Sequence, residues 1–126
     1  MTGCQVLVVE DNERNMKLFR DVLQASGYRT LEATTGERAV ELVFEHRPDL
    51  VLMDIQLPDI DGVEALDRLR ADDRFASVPV LALTAQAMDG DRERFLAAGF
   101  DDYLSKPVDI SEFVSTVRRY CEARGR

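Results

Sequence analysis

Residues 50–53, Leu-Val-Leu-Met, are apolar without interruption, and the next residue is Asp54. A strand with one face in water alternates apolar and polar side chains, so an unbroken run reads as a strand covered on both faces. That demands a parallel sheet sandwiched between helices, and the rest of the chain supplies one. Further short β-branched runs lie at Gln5–Val9, Arg29–Ala33, 78–83 and 101–104. Between them the apolar residues fall at helical spacing.

Met16, Phe19, Val22 and Leu23 form the first stripe, opened by an Asn12 cap and closed by Ser26-Gly27. Ala39, Val40, Leu42 and Val43 form the second, led by a capping-box pattern in Thr34-Thr35-Gly36-Glu37. Val63, Leu66 and Leu69 mark a third, and Phe95 and Leu96, stopped by Gly99, a weaker fourth. The last has Phe113, Val114, Val117, Tyr120 and Cys121, capped by Asp109 or Ser111. Five strands alternating with five helices predict a three-layer α/β/α fold. Strand two, Arg-Thr-Leu-Glu-Ala, is polar enough for an edge; runs 50–53 and 78–83 belong at the centre.

At 126 residues the chain is read as one domain, residues 1–126, with no output domain attached. A formal net charge of −8 disfavours nucleic acid, whose phosphates need a basic face. No run reaches membrane-spanning length and no leader peptide is visible, so no membrane is expected. Cys4 and Cys121 stand near opposite ends with no metal or redox spacing. Read as isolated thiols, they predict a reducing, cytoplasmic setting.

In a sheet of this kind the ligand site lies beyond the carboxyl ends of the strands. Strand one ends in Glu10-Asp11, strand three in Asp54, strand four in Thr84-Ala85, and strand five leads into Lys106-Pro107. If strands one and three are neighbours, at ~4.8 Å spacing their acids converge. Three carboxylates that close require a cation, and an oxygen-only donor set selects a hard divalent ion, Mg²⁺ before Ca²⁺ or Zn²⁺. Lys106, two strands away, has the stem length to reach the acids, and Thr84 offers a hydroxyl at the same rim. Together these groups can hold a phosphoryl group with its charge neutralised on several sides.

The segments Val-Val-Glu-Asp-Asn (8–12), Leu-Met-Asp-Ile-Gln-Leu-Pro-Asp-Ile-Asp-Gly (52–62), Leu-Ala-Leu-Thr-Ala (81–85) and Tyr-Leu-Ser-Lys-Pro (103–107) resemble the response-regulator receiver domains of two-component signalling. The resemblance spans the chain and is most pronounced toward single-domain regulators of the DivK type. It implies the CheY-like, flavodoxin-like sheet order 2-1-3-4-5, with Asp54 as phosphoacceptor. It further implies Mg²⁺ (replaceable by Mn²⁺) bound by Asp11, Asp54, the Gln56 carbonyl and, through water, Glu10. Lys106, Thr84 and the Ala85 amide would hold the phosphoryl oxygens, Thr84 and Tyr103 would form the switch, and Pro107 would follow a cis bond.

Gln56 stands where many receivers carry Met or Asn; its side chain and that of Gln86 would face the phosphoryl group and bear on dephosphorylation. The implied partners are a histidine kinase or a histidine phosphotransfer protein, and a target met by a monomer through the face formed by the fourth helix, fifth strand and fifth helix. The sole histidine, His46, lies far from the rim, so the phosphohistidine comes from another protein. Leu18, on the outer side of the first helix by its spacing, is a candidate kinase contact.

Other classes fit less well. A receiver module of a hybrid histidine kinase, or a phosphate sink, shares every motif. A small Mg²⁺ phosphohydrolase would need an acid where Gln56 stands, and a cap for which there is no room. A flavin or nucleotide binder would need a phosphate cradle that Val-Val-Glu-Asp-Asn-Glu-Arg-Asn does not offer. A receiver acting as an unphosphorylated adaptor would have lost one of the site residues, and all are present.

Overall fold

The chain was analysed as a computed structural model, which describes residues 3–85 and 90–124. The elements run β1 (Gln5–Val9), α1 (Glu13–Ala25), β2 (Arg29–Ala33), α2 (Gly36–His46), β3 (Leu50–Asp54), α3 (Gly62–Arg70), β4 (Val80–Thr84), α4 (Asp91–Ala98), β5 (Asp102–Ser105) and α5 (Ile110–Arg124). A 3-10 turn, Asp73–Phe75, precedes β4. All strand pairs are parallel, in the order β2-β1-β3-β4-β5. The polar β2 is an edge, and every residue of β3 and β4 is buried, as the unbroken apolar runs require.

Two apolar layers flank the sheet. One face packs Leu7, Val51, Met53 and Ala82 against α2, α3 and Phe95 of α4. The other packs Val6, Val8, Leu52 and Leu83 against Met16, Phe19 and Leu23 of α1 and Phe113 and Val117 of α5. The Phe19 and Phe113 rings stack at 5.2 Å, joining α1 to α5. Such a ring pair adds about 0.5–1.5 kcal/mol beyond its buried area.

The caps follow the sequence with one exception. Asn12 accepts from the Asn15 N–H, and Asp109, rather than Ser111, accepts from Glu112 ahead of α5. In α2 the cap is Thr35, bonded to the Arg38 N–H, so the expected Thr34–Glu37 box is not formed. Instead the Asp59 carboxylate receives the Gly36 and Glu37 N–H groups at 2.8 and 2.9 Å. Those free helix-terminal donors are thus met by a distant acid.

Three further expectations are corrected. β4 begins at Val80, not 78: Pro79 has no N–H for a ladder, and Val78 is spent on the 3-10 turn through Phe75. β5 lies one residue later than expected because the Asp101 carboxylate turns back to accept the Val80 N–H at 2.8 Å. Leu96 does not share a core stripe with Phe95; it is 41% exposed while Phe95 is buried. Adjacent residues on a helix point about 100° apart, and a helix of eight residues gives too few positions to fix the buried side.

The cysteines are the largest correction. Cys4 and Cys121 are not isolated thiols: they form a disulfide, with Cα atoms 5.9 Å apart, linking the residue before β1 to the last turn of α5. The argument from free thiols to a reducing compartment therefore falls. Among the described residues no helix is long and apolar enough to cross a membrane.

Candidate functional site

Parallel strands point their carboxyl ends to one rim, and β1, β3 and β4 are adjacent there. Val9 is opposite Met53, and Asp54 is opposite Leu83, so the residues following β1 meet the end of β3. Glu10, Asp11 and Asp54 each bring a carboxylate oxygen to within 4.8 Å of the others. Glu10 is 1% exposed and Asp54 6%, while Asp11 faces solvent. Glu10 is held there because its backbone N–H continues the sheet to the Ala33 carbonyl at 3.0 Å.

Lys106 arrives from beyond β5 through a backbone bond to the Thr84 carbonyl at 2.7 Å. Its ammonium donates to Asp54 Oδ2 at 2.9 Å and stands 2.7 Å from Glu10 Oε1. The second contact is an ion pair out of line for a hydrogen bond, and Glu10 Oε1 is left without a hydrogen-bond partner. Burial pushes the Glu10 carboxyl above its ordinary value, opposed in part by Lys106 and by the Asn12 N–H. Burial alone would depress the Lys106 ammonium, but Glu10 and Asp54 outweigh it and hold the pKa above its usual range. One ammonium thus serves two buried carboxylates, with a third, Asp11, beside them.

The loop after β3 is fixed at several points. Gln56 donates its backbone N–H to Asp54 Oδ1 at 3.0 Å, and Gly62 donates to the Ile55 carbonyl at 2.9 Å. Any Cβ on Gly62 would fall 2.5 Å from the Asp54 carbonyl oxygen, so only glycine lets α3 start so close to the phosphoacceptor candidate. The Asp59 cap ties the same loop to α2.

Beside the acids lies a cavity of about 130 Å³, lined by Asp54, Ile55, Gln56, Thr84, Ala85, Arg94, Phe95 and Lys106. Thr84 is buried and Ala85 exposed at its mouth. Arg94 and Phe95 are additions that the sequence did not announce: they come from α4, whose apolar pattern is weak. Tyr103, half-buried on β5, has its ring 5.7 Å from that of Phe95. The Lys106–Pro107 bond is cis. His46 ends α2 on the surface, and Leu18 is 41% exposed on α1. Gln86 lies outside the described residues.

The sequence matches the response regulator receiver domain family over residues 6–118. The chain is a response regulator receiver domain. It is 50% identical over 115 residues to the polar-differentiation response regulator DivK of Brucella anthropi, covering 91% of this chain and 94% of that one. Among solved structures it is similar to the receiver domain of the sensor histidine kinase PA1611 from Pseudomonas aeruginosa, at 39% identity and a TM-score of 0.87, with 95% and 98% of the chains covered. That receiver was solved with a magnesium ion coordinated in its active-site cleft. The receiver domain of Francisella response regulator 1452 superposes with a TM-score of 0.89 at 27% identity, covering 96% and 98%. The chain is thus a DivK-like receiver of two-component signalling, a class that works with histidine kinases and phosphotransfer proteins.

The acid cluster fits the divalent cation of this family on its own chemistry. Its donors are all hard oxygens, and one buried carboxylate oxygen lacks a hydrogen bond.

Proposed function

We propose that this receiver takes a phosphoryl group from a partner's phosphohistidine onto Asp54 and uses it to switch a protein-binding face. The observation that carries the reading is the Lys106 ammonium 2.9 Å from Asp54 Oδ2 and 2.7 Å from Glu10, at the mouth of a small polar cavity.

An Asp54 carboxylate oxygen attacks phosphorus, the P–N bond to the imidazole breaks, and the imidazole leaves with its electron pair. Asp11, Asp54, the Gln56 carbonyl and, through water, Glu10 would hold Mg²⁺, which would supply charge neutralisation for the transferring group; Mn²⁺ would substitute. Lys106 pairs with a second phosphoryl oxygen, and the Thr84 hydroxyl with the Ala85 amide holds a third. Catalysis here is positioning and charge neutralisation, since a carboxylate is a weak nucleophile toward a polyanion. The bond of Gln56 N–H to Asp54 Oδ1 and the Gly62 contact support this, because they fix the acid before substrate arrives.

Drawing Thr84 toward the phosphoryl group would open space beside Phe95 into which Tyr103 turns, biasing the α4-β5-α5 face between two states. Gln56, exposed at the cavity rim, and Gln86 would set the rate of slow autodephosphorylation. The protein acts as a monomer in the cytoplasm, where kinases draw on ATP, and its target is another protein. Coverage of 94% of the DivK relative supports a single-domain regulator, residues 1–126. The likeness to the PA1611 receiver favours a second reading, a module of a hybrid histidine kinase or a phosphate sink.

The test is transfer from a radiolabelled, autophosphorylated histidine kinase. Label should pass to the wild-type chain in Mg²⁺ and not in EDTA; equal transfer under both conditions would refute the proposal.

A further inference from the structure

The disulfide belongs to no part of the phosphoryl site, and nothing in the phosphotransfer reading uses it. Cys4 and Cys121 are 117 residues apart in sequence, both nearly buried, at 8% and 7% exposure. Each sits where its element ends: Cys4 just ahead of β1, Cys121 in the final turn of α5. Beside the apolar packing of Val117 and Tyr120, two polar contacts tie this end of α5 to the start of β5. Arg119 pairs with Asp102 at 3.1 Å, and the Tyr120 hydroxyl donates to the Asp101 carbonyl at 3.3 Å. The disulfide alone joins the last turn of α5 covalently to the residue that leads into β1, at the sheet's amino edge.

We infer that Cys4 and Cys121 form a reversible oxidation site whose closure clamps α5, and so sets how freely the α4-β5-α5 face can move. This rests on the cytoplasmic phosphorelay reading above: in a compartment that keeps thiols reduced, a disulfide is ordinarily transient or redox-sensing. Position supports reversibility. Terminal turns open by local fraying at far lower cost than global unfolding, so a small thiol can reach the bond without melting the core.

The oxidant is a small-molecule disulfide such as glutathione disulfide. One cysteine, as thiolate, attacks a sulfur of it, releasing one glutathione thiolate and leaving a mixed disulfide. The second cysteine loses its proton and displaces the remaining glutathione, closing the protein bond. Two protein thiols are oxidised by two electrons, and one glutathione disulfide is reduced to two thiols.

The full chain is equilibrated anaerobically across ratios of reduced to oxidised glutathione, trapped by alkylation and weighed. The expected result is an intramolecular bond that passes from mostly closed to mostly open across the series. A bond closed at every ratio, open at every ratio, or replaced by glutathione adducts or linked dimers overturns the inference. Hydrogen exchange is then compared between the closed, reduced and Cys121→Ser forms. Amides of residues 117–124 should exchange roughly three- to tenfold faster in the reduced and Ser forms, with the central strands unchanged. Equal exchange in all three means that the bond clamps nothing. Neither measurement involves phosphate or Mg²⁺, so failure of the phosphorelay reading would show separately, as absence of an Asp54 adduct in the Cys121→Ser chain.

Discussion

Lys106→Met removes the only ammonium from beside two buried carboxylates while keeping the bulk of the stem. The Glu10 share of its cost can be bounded from the structure. Without the ammonium, Glu10, 1% exposed and with one oxygen lacking a hydrogen bond, can escape ionisation only by taking up a proton. Its ordinary value is 4.5. Keeping it protonated in the folded state at about pH 7.5 therefore costs at most three units, or about 4 kcal/mol, at 1.36 kcal/mol per unit. At about pH 5.5 the ceiling falls to about 1.4 kcal/mol. Some of the Glu10 charge will persist through water at the rim, so a loss of about 3 kcal/mol near pH 7.5 is expected.

The sign follows from linkage. A carboxyl whose folded pKa lies above its unfolded one binds more protons when folded, so stability falls as pH rises between the two values. The deficit of the variant must then shrink on acidification. At about 3–5 °C per kcal/mol, thermal melts in EDTA should place Lys106→Met roughly 10–15 °C below wild type near pH 7.5 and within roughly 7 °C near pH 5.5. Millimolar Mg²⁺ should recover more stability in the variant than in wild type, because it replaces the missing positive charge. A variant melting with wild type near pH 7.5, or one whose deficit grows on acidification, would refute the reasoning.

Asp54→Asn removes one of three carboxylates whose oxygens lie within 4.8 Å of one another and should raise the melting temperature in EDTA by a few degrees, on the order of 1 kcal/mol, checked by calorimetry. Asp59→Ala removes two helix-terminal acceptors and frees the loop that carries Gln56. About 1–2 kcal/mol of stability should be lost, and Mg²⁺ affinity measured by NMR titration should fall several-fold, whereas a purely local cap would leave that affinity unchanged. Dithiothreitol should lower the wild-type melt but not that of Cys121→Ser. Opening a loop of 117 residues is worth at most about 4.9 kcal/mol by chain entropy, and about 2–4 kcal/mol is the usual yield. Beryllofluoride with Mg²⁺ should shift the ring resonances of Tyr103 relative to Mg²⁺ alone; unchanged ring signals would rule out the aromatic switch.

The gathering of the candidate site at one rim was legible because its parts sit at strand ends, and strand ends are where apolar runs stop. Glu10, Asp11, Asp54 and Thr84 each follow or close such a run, and a parallel sheet gathers those ends at one rim. Lys106 was legible from chemistry, since three acids need a cation within reach of a long stem. What stayed hidden depends on rotations and distances that periodicity does not encode. Arg94 and Phe95 reach the cavity from a helix with too few apolar positions to orient it, and the same weakness put Leu96 on the wrong side. Asp59 caps a helix 23 residues upstream, a contact no local capping pattern can announce. The pairing of Cys4 with Cys121 needs the start of β1 and the end of α5 to share one side of the sheet, which alternation of elements alone does not decide.

The most direct test is peptide-mapped mass spectrometry of the chain after incubation with acetyl phosphate and Mg²⁺. One phosphate on the peptide containing Asp54, absent in EDTA and absent in Asp54→Asn, is the predicted result. Phosphate on any other residue, or an adduct that persists in Asp54→Asn, would contradict the assignment of this rim as a phosphoacceptor site.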